Sequence, residues 1–283
     1  MGIKETIDTF LAKALDGETT IDEATVERFG DRCKDALRKQ FNNDKHDFSI
    51  RMSGIGKPLC QQQLAKAGAN AEIPVPSLKL KLAYGDMVEA LMMAVLEASG
   101  VNVQGFQEKV EYQLGSTKIK GTLDVIIDGK VYDIKSTSKY AFDFKFNKPD
   151  GFQKIVADDP FGYVSQGYLY AAAKGMSFGG WIAFNKETGN YCVTEAPAEG
   201  GAYERVALND ARKNADALNN DDEFTRCFSP IPELVRKKPT GNKTLSVTCR
   251  YCKFKETACW KDEIVFRKNP RGSTFRWYFG EPK

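Results

Sequence analysis

The stretch "LDVIIDGKVYDIKS", residues 123–136, decides how the chain folds. Asp128-Gly129 lies between two β-rich runs, and Asp-Gly in that setting is the strongest short-range signal for a two-residue hairpin turn. Counting outward pairs Ile127 with Lys130, Ile126 with Val131, Val125 with Tyr132 and Asp124 with Asp133. Two carboxylates then stand across the ladder on one face, where like charges destabilise a sheet. A register off by one residue removes the conflict, and so does an edge pair facing water. A divalent cation between the aspartates also removes it, because carboxylates are the hard oxygen ligands that Mg²⁺ or Mn²⁺ needs.

Lys135 follows Asp133 by two positions and shares its face, placing an ammonium where it can orient a water or steady charge developing on a phosphate. Upstream, Pro74 and Pro76 precede a helix at roughly 77–98, with Val88, Leu91, Met92, Val95 and Leu96 as its apolar stripe. Glu89 sits there among Leu82, Gly85, Met92 and Leu96, costly surroundings for an unpaired glutamate. It either snorkels at the edge of the stripe or joins the aspartates as a third ligand.

Alternating runs at 103–113, 117–127 and 130–136 predict three consecutive antiparallel strands. Two helices, 3–16 and 20–42, the second opened by Thr20 or Asp22, read as an accessory layer. Cys60 starts a short helix ending near Gly68, and a loop with Phe142, Phe144 and Phe146 follows the third strand. Asp159 as N-cap and Pro160 at the first helical position open a helix that stops near Gly175. "GGWIAFN" and "YCVTEA" predict two more strands, 202–219 a helix, and the tail reads as irregular. This order predicts an α/β fold with a mixed central sheet flanked by helices. It divides as a helical segment, 1–48, and a second unit, 49–283.

A 283-residue chain with 42% hydrophobic residues can bury a real core. The net charge of +3 announces no nucleic-acid partner globally, but the last stretch alternates lysines and arginines with aromatics. That composition suits phosphates and unstacked bases, and equally a solvated basic tail. No apolar run approaches about 20 residues, which excludes a helical membrane span and leads us to expect a cytoplasmic protein. Seven cysteines, an odd number, argue against a disulfide framework. "TCRYCKFKETACW" brings Cys249, Cys252 and Cys259 together, one ligand short of a tetrahedral metal site. Cys33, Cys192 and Cys227 read as ordinary buried thiols.

A helical acid, an aspartate, and then D-I-K on a hairpin resembles the PD-(D/E)XK nuclease superfamily, in particular its RecB-like exonuclease branch. Gln166 and Tyr170 in "SQGYLYAA" resemble the Q-x-x-x-Y motif of that branch. Cys60 in "RMSGIGKPLCQQQ", ahead of the other three, is similar to the arrangement in iron–sulfur members such as the CRISPR-associated exonuclease family. Arg51 and Ser53 resemble a motif near the cluster and the DNA path, with an ordinary loop arginine as the alternative. Glu89 stands where many iron–sulfur members carry histidine, as in the phage alkaline-exonuclease type of site; His46 lies too early to replace it.

The resemblance implies a restriction-endonuclease-like core acting on DNA that is single-stranded or has free ends. Glu89, Asp124, Asp133 and the Ile134 carbonyl would hold one or two Mg²⁺ or Mn²⁺ ions, with Lys135 positioning the attack. Cys60, Cys249, Cys252 and Cys259 would hold a structural [4Fe-4S] cluster, zinc being the competing metal. The role would be DNA recombination, repair or processing in the cytoplasm of a bacterium or phage-infected cell, with a homo-oligomer or a recombination-protein partner left open. Two rivals remain: a structure-specific or RNA-directed endonuclease on the same site, and a non-catalytic module that holds DNA ends.

Overall fold

The computed structural model describes residues 2–42, 47–198, 201–270 and 274–282; His46 lies outside them. Helices α1 (Ile3–Leu15) and α2 (Glu23–Phe41) come first. Asp22 caps α2, its carboxylate accepting the Thr25 N–H at 2.9 Å. Short helices α3 (Met52–Ile55) and α4 (Leu59–Lys66) lead to the long α5 (Ser77–Ala98). Val88, Met92 and Leu96 of α5 are buried as the stripe predicts, whereas Leu91 is 42% exposed. The face that meets the sheet is narrower than the stripe.

The central sheet has five strands in the order β1-β2-β3-β4-β5. They are β1 (Val103–Leu114), β2 (Thr117–Ile127), β3 (Lys130–Thr137), β4 (Ser177–Asn185) and β5 (Tyr191–Glu195). β3 and β4 run parallel and the other neighbours antiparallel, so the sheet is mixed, as the element order predicts. Asp128 and Gly129 both take positive φ, 48° and 72°, which lets their turn follow the right-handed twist of the strands. Ile127 pairs with Lys130, Ile126 with Val131 and Val125 with Tyr132.

The loop after β3 holds a short helix, α6 (Lys139–Ala141), and a π-helical turn, Phe142–Phe146, that buries Phe142 and Phe146 but leaves Phe144 exposed. Helix α7 (Gly151–Ala157) follows. Helix α8 (Tyr163–Lys174) begins later than Pro160. The Asp159 carboxylate instead reaches forward to accept the N–H groups of Tyr163 and Val164, each at 2.9 Å. Gly175, with φ 64°, ends the helix as expected. Helix α9 (Gly201–Asn219) packs against α8.

The tail is not irregular. It forms a second sheet, order β6-β7-β9-β8, from β6 (Ile231–Val235), β7 (Lys238–Thr244), β8 (Ile264–Lys268) and β9 (Phe275–Phe279). Helix α10 (Val247–Arg250) and a π-helical turn, Lys255–Cys259, lie between β7 and β8. Leu245, Cys249, Cys259 and Trp260 form a small buried core there, with Leu64 of α4 packed against it. Among the described residues, no helix is long and apolar enough to cross a membrane.

Candidate active site

The hairpin ladder stops at Val125 and Tyr132, one pair short of the aspartates. Past that point the Ile134 N–H donates to the Asp124 carboxylate at 2.8 Å instead of to a strand carbonyl. The two aspartates therefore oppose each other at an open end of the hairpin rather than within it. Asp133 is 1% exposed, and Lys135 ion-pairs with its Oδ2 at 2.5 Å. Beyond that ion pair, neither Asp133 oxygen has a hydrogen-bond partner.

Helix α5 brings Glu89 to the same place. Gly85, one turn earlier, lets the helix approach β3 closely, because a Cβ there would sit 3.1 Å from Ser136 Oγ. Burial pushes the Glu89 carboxyl up to about 7, with Lys39 and Lys135 opposing and Asp133 reinforcing the shift. Burial also raises Asp124 well above the carboxylate range, helped by Glu89 and Asp133. Asp133 is raised for the same reason, against the pull of Lys135. Burial opposes the Lys135 ammonium, but Asp133 and Asp124 outweigh it and lift its pKa above the lysine range. Three acids and a lysine thus share one low-dielectric pocket.

Three further residues of this site carry no motif that would announce them. Gln107 lies between Phe106 and Glu108, which pair with Val125 and Leu123, so it stands level with Asp124. Its φ of 49° is rare for a residue with a side chain, and its amide donates to Glu89 Oε1 at 2.6 Å. Tyr163, at the start of α8, places its ring 4.7 Å from the Lys135 ammonium. Lys39 of α2 ion-pairs with Asp86 at 2.9 Å. Burial works against its charge, yet Asp86, Glu89 and Asp124 hold its pKa above the lysine range. The amino-terminal helices, predicted as an accessory layer, thus supply a cation to the acidic pocket. Arg28 and Arg32 fasten the same helix to Glu97 of α5.

Gln166 and Tyr170 do meet, the Gln166 amide donating to the Tyr170 hydroxyl at 3.1 Å. Tyr170 is only 2% exposed, and burial raises its phenol to about 12, with Asp133 and Asp124 adding to the shift. It faces the acidic site from within the core. Arg51 and Ser53 are exposed; the Arg51 Nε donates to Ser49 Oγ at 2.8 Å, and Arg51 lines a small cleft with Lys57 and Lys253.

Cys60, Cys249, Cys252 and Cys259 are all buried free thiols. Burial pushes Cys259 up to about 11, with Cys252 and Cys249 contributing. Cys227 departs from its expected role as a buried thiol without a partner. It is exposed, its sulfur accepts the Cys60 N–H at 3.2 Å, and the hydrogen bond from Cys60 lowers its pKa to about 6. Residue spacing gave no sign of this, since the two cysteines meet only through the fold.

Among the described residues, no three His, Cys, Asp or Glu side chains converge closely enough to hold a metal ion as they stand. The donor chemistry nevertheless fits. The orphaned oxygens of Asp133 and the mutually repelling carboxyls suit a hard dication, and four buried thiols suit zinc or iron.

The sequence matches no protein-family model and no curated protein at a significant level. The solved structures similar to it include two that span most of the chain. SSO0001 is 16% identical with a TM-score of 0.40, the match covering 80% of this chain and 93% of that one. A protein from Eubacterium rectale named as an exonuclease candidate is 16% identical with a TM-score of 0.35, covering 76% and 75%.

Proposed function

We propose that this chain is a metal-dependent deoxyribonuclease of the PD-(D/E)XK type, acting as an exonuclease with little sequence preference. The observation that carries the reading is the opposition of Asp124 and the buried Asp133 where the hairpin opens, with half-buried Glu89 and Lys135 beside them. A fold has no structural use for three repelling acids in one partly buried pocket, and a cation turns that cost into binding energy.

Glu89, Asp124, Asp133 and the Ile134 carbonyl are the groups that would hold Mg²⁺ or Mn²⁺. When bound, the ion lowers the pKa of water and neutralises charge on a phosphodiester. Lys135, kept as an ammonium by Asp133 and Asp124, donates to a phosphate oxygen and orients it for in-line attack. Gln107 holds Glu89 in place, and Tyr163 limits where Lys135 can reach. Gln166, Tyr170, Arg51 and Ser53 would guide the DNA backbone.

Cys60, Cys249, Cys252 and Cys259 would hold a [4Fe-4S] cluster, or structural zinc, joining α4 to the C-terminal sheet. Its contribution is a staple rather than chemistry. Incubating the purified protein with linear DNA in Mg²⁺, Mn²⁺ or EDTA tests the reading, and closed circles separate an exonuclease from the endonuclease alternative. Binding of DNA ends without cutting in any metal would favour the non-catalytic module.

A further inference from the structure

Immediately past Lys135 the sheet opens on a second cleft, of about 280 Å³, that the acidic pocket does not use. Lys81, Ser136, Phe161, Tyr163, Lys186 and Tyr251 are among the residues lining it. It borders the acidic pocket through Tyr163, the ring against which the Lys135 ammonium rests.

The charges in this cleft are out of balance. Its two aspartates are engaged, Asp158 by Lys145 at 2.6 Å and Asp159 by the N–H groups that open α8. Lys81 and Lys186 make no ion pair among the described residues, and burial together with Lys81 lowers the pKa of the half-buried Lys186, against a smaller pull from Glu187, whose carboxylate accepts the Lys139 N–H. Crowded ammonium groups that form no ion pair favour an incoming anion. Beside them, Phe161 stacks on Tyr163 with centroids 5.4 Å apart, and Tyr251 packs edge-on against Phe161 at 5.2 Å. Phe161 and Tyr251 remain 39% and 60% exposed. Exposed rings next to unpaired lysines are the two halves of a nucleotide site, one for the base and one for the phosphate. At about 280 Å³ the cleft lies at the small end of ligand pockets, which run upward from about 300 Å³, a size for one nucleotide and not for a duplex.

We propose that the cleft takes one unpaired nucleotide at a single-stranded DNA end, with Lys81 and Lys186 on its phosphate and Phe161 and Tyr251 against its base. The proposal deepens the nuclease reading and rests on it: a nucleotide seated here lies next to Lys135. Tyr251 falls between Cys249 and Cys252, so the cysteine region itself supplies one wall of the cleft.

The test is fluorescence anisotropy with an internally labelled oligothymidylate, compared with the same oligomer carrying abasic nucleotides at both ends, in buffer without divalent metal. The wild type should prefer intact ends by about tenfold, the order expected for stacking one base. Tyr251→Ala and Phe161→Ala should lose that preference, and Tyr251→Phe should keep it. Phe161 is distant in sequence from the cysteines, so its variant answers even if Tyr251→Ala disturbs them. Lys186→Gln should weaken both oligomers and reduce the salt slope by about one. Equal binding of intact and abasic ends by the wild type, or an unchanged preference in both alanine variants, overturns the proposal. Tighter binding of the matching uridine oligomer overturns its assignment to DNA. A protein that cuts DNA without this preference keeps the nuclease reading and loses the cleft; one that shows the preference but never cuts does the reverse.

Discussion

The backbone N–H of Ile134 donates to the carboxylate of Asp124 at 2.8 Å. A side chain here does what a strand carbonyl does elsewhere in the hairpin, and the strands part where the acids gather. Ile134 is 3% exposed, so this N–H has no access to water if the acceptor is removed. Asp124→Asn keeps an acceptor oxygen and should fold with near wild-type stability while cutting falls by orders of magnitude. Asp124→Ala should be the less stable of the two by about 1–3 kcal/mol, the cost of an orphaned buried donor. Chemical denaturation of both variants beside an activity assay checks this, and equal stability would mean the hydrogen bond carries no weight.

Acidity should couple to metal binding through Glu89. Burial raises its pKa to about 7, whereas in the unfolded chain it titrates near about 4.3. Between those values the folded chain binds more protons, so the stability this group contributes is fully present below about pH 4 and lost as pH rises through about 7. A dication needs the carboxylate, so Mn²⁺ affinity should climb by up to about tenfold per pH unit below 7 and level off above it. Asp124 and Asp133, also raised, push in the same direction. Isothermal titration with Mn²⁺ across that range measures the slope, and Glu89→Gln should reduce it, leaving the part due to Asp124 and Asp133.

Gly121 of β2 is where Tyr170 enters the core. A Cβ at that position would lie 2.5 Å from the Tyr170 ring and 3.0 Å from the Met52 sulfur. The ring is rigid and cannot yield as a flexible chain end does. Gly121→Ala should therefore destabilise by about 1–3 kcal/mol and reduce cutting more than Tyr170→Phe, which removes only the hydroxyl that Gln166 meets. Thermal melts and rates for the two variants decide whether Tyr170 acts through its position or through its oxygen.

The cysteines predict a metal content. Cys252→Ser should lose bound metal and melt at a lower temperature, and Cys192→Ser, buried on β5 away from the others, should leave metal content unchanged. Elemental analysis with a visible spectrum separates the candidates: a brown protein containing iron supports the cluster, and a colourless one containing zinc replaces it with the structural alternative.

Much of this architecture is legible in the residues because the signals are local. Asp128-Gly129 sets the hairpin register, and Gly175 ends α8. Where the reading failed, the deciding contact is long-range or the sequence disguises the element. The C-terminal sheet hides because β6 and β7 carry Pro232 and Pro239 and are joined at Arg236-Lys237, two residues with φ of 49° and 65° where Asn-Gly would be expected. Asp159 misleads because a carboxylate can cap a helix from four residues upstream. In the site, the spacing of Asp124, Asp133 and Lys135 is readable. Gln107, Tyr163, Lys39 and Cys227 are not, because each arrives from an element whose own pattern says nothing of its destination. A non-glycine residue at positive φ, as at Gln107, becomes visible only once the strand is built.

On the proposed reading, the opposed aspartates exist to bind a catalytic cation. The most direct measurement follows end-labelled linear single-stranded DNA with wild-type protein and Asp133→Asn, each in Mg²⁺, Mn²⁺ and EDTA. The DNA should be lost only with wild type and only with metal. Asp133→Asn should remain folded, because burial disfavours the charge it removes even as the Lys135 ammonium loses its ion-pair partner. Cutting by Asp133→Asn at the wild-type rate, or cutting that persists in EDTA, would contradict that reading.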